Sequence, residues 1–206
     1  MNDSQIPDTA TRRSRRMAWI LVGAFFGPLL LAFLLYYGGS FVGDGAWRPA
    51  GNTNRGDLIH PARPLPAFEL VTTTGEKLDA RTLDGKWNVI FVGDGQCDAR
   101  CREALVLMRQ TRLALNDDMT RVQRLFLVTD HCCDQTYLDA EHAGLITATL
   151  DSPDGQSLLA VFPDTDQGRI YIVDPLGNLM MSYSREAPQK GLLEDLKKLL
   201  KLSHIG

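Results

Sequence analysis

Two cysteines spaced C-x-x-x-C, Cys97 and Cys101, follow an apolar run, Asn88-Val89-Ile90-Phe91-Val92, that reads as a buried strand. Gly93-Asp94-Gly95-Gln96 reads as a turn and Cys97 onward as the opening of a helix. Thiols at a helix N-terminus face the positive end of the dipole and unpaired backbone N–H groups, which favour thiolate over thiol. Three uses follow. The pair can form a redox-active disulfide, because two cysteines four apart on a first helical turn lie near enough to bond with modest adjustment. It can pinch Cu(I), which thiolates select over harder metals. Or it can be an inert bond pinning the helix start, although so short a loop closure adds little to a helix already packed on a strand.

A second cluster, His131-Cys132-Cys133, follows another apolar run, Arg121 to Thr129. Loops at the carboxyl ends of parallel strands converge on one edge of an open α/β sheet. With these two strands as neighbours, two cysteine pairs and a histidine lie along one rim. Adjacent cysteines form only a strained bond, so Cys132 and Cys133 are expected to act separately, as ligands beside His131 or as small residues filling space. Leu105, Met108, Arg112 and Leu115 continue the helical spacing of Cys97 and Cys101, with Cys101 nearer the core and Cys97 exposed. Asp98 is placed to cap the helix. His60, His142 and His204 are weaker ligand candidates. No G-x-S-x-G, phosphate loop, H-E-x-x-H or paired-carboxylate pattern occurs, which speaks against hydrolase and nucleotide chemistry.

The elements that position these residues begin at Leu65. Phe68 to Val71 is a short strand; Lys77-Leu78 and Leu83 give a second short strand and a turn of helix. Asn88 to Val92 is the first central strand, and the helix after the cysteines runs to about Leu115. Arg121 to Thr129 is the second central strand. Gln135 to Ala143 is helical, Leu145 to Leu150 extended and Gly155 to Phe162 a short helix. Arg169 to Val173 and Leu179 to Tyr183 form a hairpin around Asp174-Pro175-Leu176-Gly177. In Gly191 to Leu202, leucines 192, 193, 196, 199 and 200 share one face and Lys197, Lys198 and Lys201 the other. That pattern suits a helix packed on a sheet, with a helix lying on a membrane as the alternative. The order predicts an α/β, thioredoxin-like mixed sheet with flanking helices.

Ahead of this domain, Met17 to Tyr37 is an uncharged run of 21 residues, the length of a transmembrane helix, with Trp19 at one end and Tyr36-Tyr37 at the other. Arg12, Arg13, Arg15 and Arg16 precede it and no arginine follows until Arg48. The positive-inside rule then predicts a cytoplasmic N-terminus and an outward C-terminal domain, periplasmic for a bacterial inner membrane, where disulfides persist. The expected organisation is a basic cytoplasmic tail (1–16), an uncleaved transmembrane helix (17–37), a Gly-, Pro- and Asn-rich linker (38–64) and the thioredoxin-like domain (65–206). The chain carries a formal net charge of −3, and the tail is positive, so the remainder is acidic. That argues against a nucleic-acid partner.

From about Leu65 onward the chain resembles the Sco/SenC family of membrane-anchored thioredoxin-like proteins. The resemblance is carried by the N-terminal anchor, VIFVGDGQCDARC, RLFLVTD, GLITATLD and the hairpin IYIVDPLGN. The strings NRGDLIHPARPLP and LLEDLKKLLKLSHIG also look like small transmembrane proteins among oxidase assembly factors. The resemblance implies assistance in cytochrome c oxidase assembly, by delivering copper to the dinuclear centre or reducing that centre's cysteines. Cys97 and Cys101 would be the redox and copper pair, with Cys97 attacking a target disulfide and Cys101 resolving the intermediate. The implied partner is a respiratory oxidase subunit or another assembly factor.

Three departures stand against that pattern. The family's copper site takes a histidine shortly before the hairpin's first strand, where this chain reads Asp164-Thr165-Asp166-Gln167-Gly168. Cys97 is followed by Asp98 and Cys101 by Arg102 rather than by prolines, and no proline precedes Arg169. A copper site would need His131, Cys132 or Cys133 to complete it, whereas thiol–disulfide exchange needs no third ligand. The competing expectation is a non-enzymatic, membrane-tethered docking module with a structural disulfide.

Overall fold

The computed structural model describes residues 8–38, 53–203 and 205. Residues 1–7 of the basic tail, 39–52 of the linker and His204 lie outside the described residues, as do the side chains of Arg12, Arg13, Tyr36 and Tyr37. The chain divides into two units, residues 1–51 and 52–206.

The first unit contains a single described helix, α1 (Asp8–Gly38), with Pro28 inside it. Its stretch Arg15–Leu34 is long and apolar enough to cross a membrane. Helix therefore begins within the residues read as a basic tail. Trp19 and the other large apolar side chains along it are exposed, the all-round apolar pattern that a candidate membrane span presents. A proline at this position is compatible with a membrane span, where a freed carbonyl can be resatisfied locally.

The second unit is built on a six-stranded mixed sheet. In chain order it contains β1 (Asp57–Pro64), β2 (Glu69–Val71), β3 (Lys77–Asp79), α2 (Ala80–Leu83), β4 (Trp87–Gly93), α3 (Ala99–Leu113), β5 (Val122–Val128), α4 (Gln135–Glu141), β6 (Leu145–Thr149), α5 (Pro153–Leu159), β7 (Ile170–Val173), β8 (Asn178–Tyr183) and α6 (Gly191–Leu202). The sheet order is β1-β8-β7-β4-β5-β6; β4, β5 and β6 run parallel, and β7, β8 and β1 pair antiparallel. A separate hairpin joins β2 and β3. This is the expected thioredoxin-like mixed sheet.

Two apolar layers cover the sheet, which is why its central strands read as mostly hydrophobic runs. Val89, Phe91, Val122, Phe126 and Val128 face a layer containing Leu105 and Met108 of α3 and Leu192, Leu196 and Leu200 of α6. Ile90, Val92, Leu125 and Leu127 face Leu70, Leu78, Leu83 and Leu158 on the other side. Burying each such side chain stabilises the fold by about 1.5–3 kcal/mol. Helix α6 thus lies on the sheet by its leucine face, and the membrane-surface reading of that helix is corrected.

Strand β1 falls inside the stretch read as a linker. Only Ile59 of its eight residues is even half-buried, so no alternation marks it, and its pairing with β8 is interrupted between Leu58 and Arg63. A buried carboxylate holds the chain just before it. Asp195 of α6 accepts from the backbone N–H of Arg55 (2.7 Å) and Gly56 (3.0 Å) and from the Tyr183 hydroxyl (3.1 Å).

The register of β4 and β5 sets up the functional rim. Gly93 pairs with Val128, so both strands end at the same level and their following loops emerge side by side.

Candidate redox site

The first loop turns on Asp94, whose carboxylate accepts from Gln96 N–H at 2.7 Å and whose carbonyl accepts from Cys97 N–H at 3.2 Å. Asp98 then caps α3 as expected, accepting from Cys101 N–H at 2.9 Å. Between turn and cap, Cys97 sits at φ +47°. This left-handed conformation costs a non-glycine residue about 1 kcal/mol or more and is concentrated at functional sites.

Cys97 and Cys101 are bonded to each other, with their Cα atoms 5.0 Å apart. That separation lies in the ordinary disulfide range. Helix α3 begins at Ala99, so Cys97 precedes the helix instead of occupying its first turn. The expected exposure of Cys97 is corrected: it is 3% exposed and Cys101 4%. With its positive φ, Cys97 turns into the apolar layer of Leu105, Met108 and Leu138, with Tyr137 and Cys133 packed against that layer.

The second loop leaves β5 and meets the first at Gly95. Gly95 N–H donates to the Asp130 carbonyl at 2.8 Å. A side chain at Gly95 would run into the His131 carbonyl and would stand 2.8 Å from the Cys132 Cα, so only glycine permits this approach. His131, itself at φ +48°, places Nδ1 3.1 Å from Asp94 and 3.4 Å from Asp130. The hydrogen bond to Asp94, aided by the Asp130 charge, holds the imidazolium above its usual pKa. Asp94 is held below the usual carboxylate range, by the Gln96 N–H first and His131 second.

Cys132 and Cys133 are also bonded to each other, which corrects the expectation that they do not pair. Cys132 is exposed and Cys133 half-buried. The two sulfur pairs therefore differ in access: the pair after β5 meets solvent, and the pair after β4 is covered. Asp134 follows directly and caps α4, accepting from Tyr137 N–H at 3.1 Å.

A further set of side chains supports the rim without having been expected from sequence. Arg102 Nε donates to the Cys97 carbonyl at 3.2 Å, and its guanidinium lies 4.7 Å from the centre of the Tyr137 ring. The Tyr137 hydroxyl lies 3.0 Å from His142 Nε2. Burial, with Arg109 and Arg124 nearby, holds the His142 imidazolium below its usual pKa. Beneath α3, Arg124 is buried on β5 and donates to the Ala143 carbonyl at 2.8 Å. Burial, together with Arg112 and Arg109, pushes its guanidinium down to about 10.

As disulfides, the four sulfurs offer no thiolate, and among the described residues no group of three or more His, Cys, Asp or Glu side chains is arranged to hold a metal ion. His131, Cys132 and Cys133 share the rim with Cys97 and Cys101, but His131 turns to Asp94 and Asp130. His142 bonds Tyr137, and His60 lies on β1 at the far edge of the sheet. The donor set that remains on reducing the first pair is two thiolates, a soft set of the kind Cu(I) takes.

Residues 87–203 match the family described as transmembrane-like, thioredoxin-like, C-terminal domain. A candidate copper-binding protein of Stutzerimonas stutzeri is 30% identical over 135 residues, covering 60% of this chain and 66% of that protein, slightly less than two thirds of its length. Among solved structures, copper-bound yeast Sco1 superposes with a TM-score of 0.60 at 18% identity, over 70% of this chain and 96% of that one. Copper-bound ScoI of Bradyrhizobium japonicum gives 0.54 at 18% identity, over 66% and 98%. The thioredoxin domain of a thiol-disulfide oxidoreductase from Bacteroides vulgatus gives 0.56 at 16%, over 69% and 99%. At these identities the structures establish a shared fold, and the Sco-like thioredoxin fold expected from sequence is the fold observed.

Proposed function

Because the chain belongs to the family of transmembrane-like, thioredoxin-like C-terminal domains, we propose that it is a membrane-anchored thiol–disulfide exchange protein acting, like the Sco proteins it resembles in fold, in respiratory oxidase assembly. The observation that carries this reading is the Cys97–Cys101 bond at the N-cap of α3, at the carboxyl end of a central parallel strand and on the rim shared with the loop after β5.

In the proposed reaction the reduced Cys97 thiolate attacks one sulfur of a target disulfide, and the other target sulfur leaves as a thiolate. Cys101 then attacks Cys97 Sγ, restores the Cys97–Cys101 bond and releases the second target thiol. Two electrons pass to the target, and the proton count follows the pKa values of the four thiols. Cys97 and Cys101 are covered, so Cys97 has to be uncovered to reach a target, and because it precedes the helix the short segment 94–98 is the part proposed to move. Arg102, through its hydrogen bond to the Cys97 carbonyl, sets how readily that segment opens. The reduced pair would also hold Cu(I) as cargo, through the two thiolates. The proposed partner is an oxidase subunit or another assembly factor. The proposed orientation, from the arginine-rich tail, sets the N-terminus in the cytoplasm and the C-terminal domain in the periplasm.

Burial of both sulfurs favours a second reading, a docking module in which the Cys97–Cys101 bond is structural. Equilibration of the full chain in detergent against defined thiol–disulfide buffers separates the two. An exchange protein shows a reversible couple at Cys97–Cys101; a docking module shows none below its unfolding transition. Cu(I) competition against Cys97→Ser and Cys101→Ser tests the cargo: affinity unchanged by both substitutions removes copper from the account.

A further inference from the structure

The molecule carries a second disulfide that the exchange chemistry above does not use, and its access is the reverse of the first. Cys132 is exposed at a loop tip, whereas Cys97 and Cys101 are covered. Exchange rates depend on the approach of the attacking thiolate to a sulfur, so a protein reductant meets the exposed bond far more readily than the covered one. The two loops are in van der Waals contact. Gly95, two residues before Cys97, lies against Cys132 so closely that a Cβ there would stand 2.8 Å from the Cys132 Cα. The contact is held by the Gly95 N–H to Asp130 carbonyl bond at 2.8 Å and by His131 on Asp94 at 3.1 Å. Cys133 packs against the same apolar layer that contains Cys97 and Cys101.

From this juxtaposition we propose that Cys132–Cys133 is the entry port for reducing equivalents from an external protein dithiol, and that it passes them by inter-loop exchange to the covered Cys97–Cys101 bond. The proposal rests on the exchange reading above. First, the external dithiol reduces Cys132–Cys133 and leaves as its own disulfide. One thiolate of the reduced pair then attacks Cys97 Sγ, forming a bond across the two loops and releasing Cys101 as a thiolate. The remaining thiol of the Cys132–Cys133 pair attacks its neighbour, closes that bond again and releases the second thiol of the Cys97–Cys101 pair. Two electrons and two protons move from the donor dithiol to Cys97 and Cys101, and the second pair returns to its starting state. In this scheme the exposed vicinal pair receives and the covered pair stores.

The test uses the oxidised full chain in detergent micelles, with reduced thioredoxin as the protein dithiol and dithiothreitol as the small one. Samples are quenched by alkylation and the four cysteines mapped by mass spectrometry. In the unsubstituted chain, thioredoxin labels Cys132 and Cys133 before Cys97 and Cys101. In Cys132→Ser/Cys133→Ser, reduction of Cys97–Cys101 by thioredoxin slows about tenfold or more, while its equilibrium with dithiothreitol is unchanged. As a trap independent of rates, Cys101→Ser is combined with Cys132→Ser or with Cys133→Ser, leaving one thiol on each loop. Mild oxidation joins Cys97 to the partner loop in at least one of the two variants. Reduction at the unsubstituted rate in the double-serine chain, or no cross-loop bond in either trap, overturns the relay and leaves the exchange reading standing. Absence of any reversible Cys97–Cys101 couple in the unsubstituted chain overturns both.

Discussion

Gly95 lies against Cys132, with space for a hydrogen and none for a methyl group: an added Cβ would also approach Val128 Cγ1 to 2.9 Å. Backbone lines this contact on the Cys132 side, so a substituent cannot be accommodated by rotating a side chain. Gly95→Ala is expected to cost about 1–3 kcal/mol of stability and to push the two loops apart. Thermal unfolding of the full chain, with accessibility of reduced Cys97 to alkylation as a second readout, checks this. An unchanged midpoint and unchanged alkylation would mean that the loops are not in contact.

Arg102 spans the site by holding the Cys97 carbonyl and lying over Tyr137. Arg102→Ala removes a charged donor and an exposed cation–π contact worth about 0.5–1 kcal/mol, which corresponds to a few-fold more opening of the segment around Cys97. Alkylation of reduced Cys97 is expected to accelerate by about that factor, with Cys132 alkylation unaffected. Equal rates in both chains would remove Arg102 from its positioning role.

The His131–Asp94 pair makes the contact between the loops pH-dependent. The His131 midpoint is raised above 6.5, so its contribution is fully present below that pH and is lost as pH rises through the raised midpoint. The Asp94 midpoint is lowered from 3.8, so its contribution is present above that pH and is lost as pH falls through the lowered midpoint. Cross-loop contact is therefore complete between these limits. An NMR titration should give a His131 midpoint above 6.5 that falls in Asp94→Asn, leaving only the smaller influence of Asp130. A His131 midpoint that does not move in this variant would contradict the pairing.

Asp195 anchors the chain entering β1 through backbone and hydroxyl donors outside the two cysteine loops. Asp195→Ala leaves Arg55 N–H, Gly56 N–H and the Tyr183 hydroxyl without their acceptor, a loss of about 3 kcal/mol. Unfolding midpoints should drop accordingly, while the Cys97–Cys101 equilibrium with dithiothreitol stays where it was. A shift in that equilibrium would tie β1 to the redox site, which the geometry does not.

What the sequence revealed, and what it hid, follows from the kind of signal each feature leaves. Runs buried on both faces are unmistakable, so β4 and β5 were expected within a residue of their observed ends, and Asp174-Pro175-Leu176-Gly177 marked the β7–β8 hairpin. The convergence of the two cysteine loops follows from parallel strand order and was equally readable. Strand β1 was not, because an edge strand with one half-buried residue and prolines at 61 and 64 has no period to detect. The burial of Cys97 hinges on a left-handed φ at a non-glycine residue, a conformation that residue type argues against. Arg102, Tyr137 and His142 meet across α3 and α4, and no local spacing announces a contact between elements so far apart in sequence.

The account depends on Cys97–Cys101 being a working couple. Equilibrium titration of the full chain with dithiothreitol buffers, read by alkylation of Cys97 and Cys101, tests this most directly. The expected result is one reversible two-electron transition above about −300 mV, in the range of exchange proteins and not of structural bonds. A bond that stays closed until the fold melts would contradict the account and leave a docking module in its place.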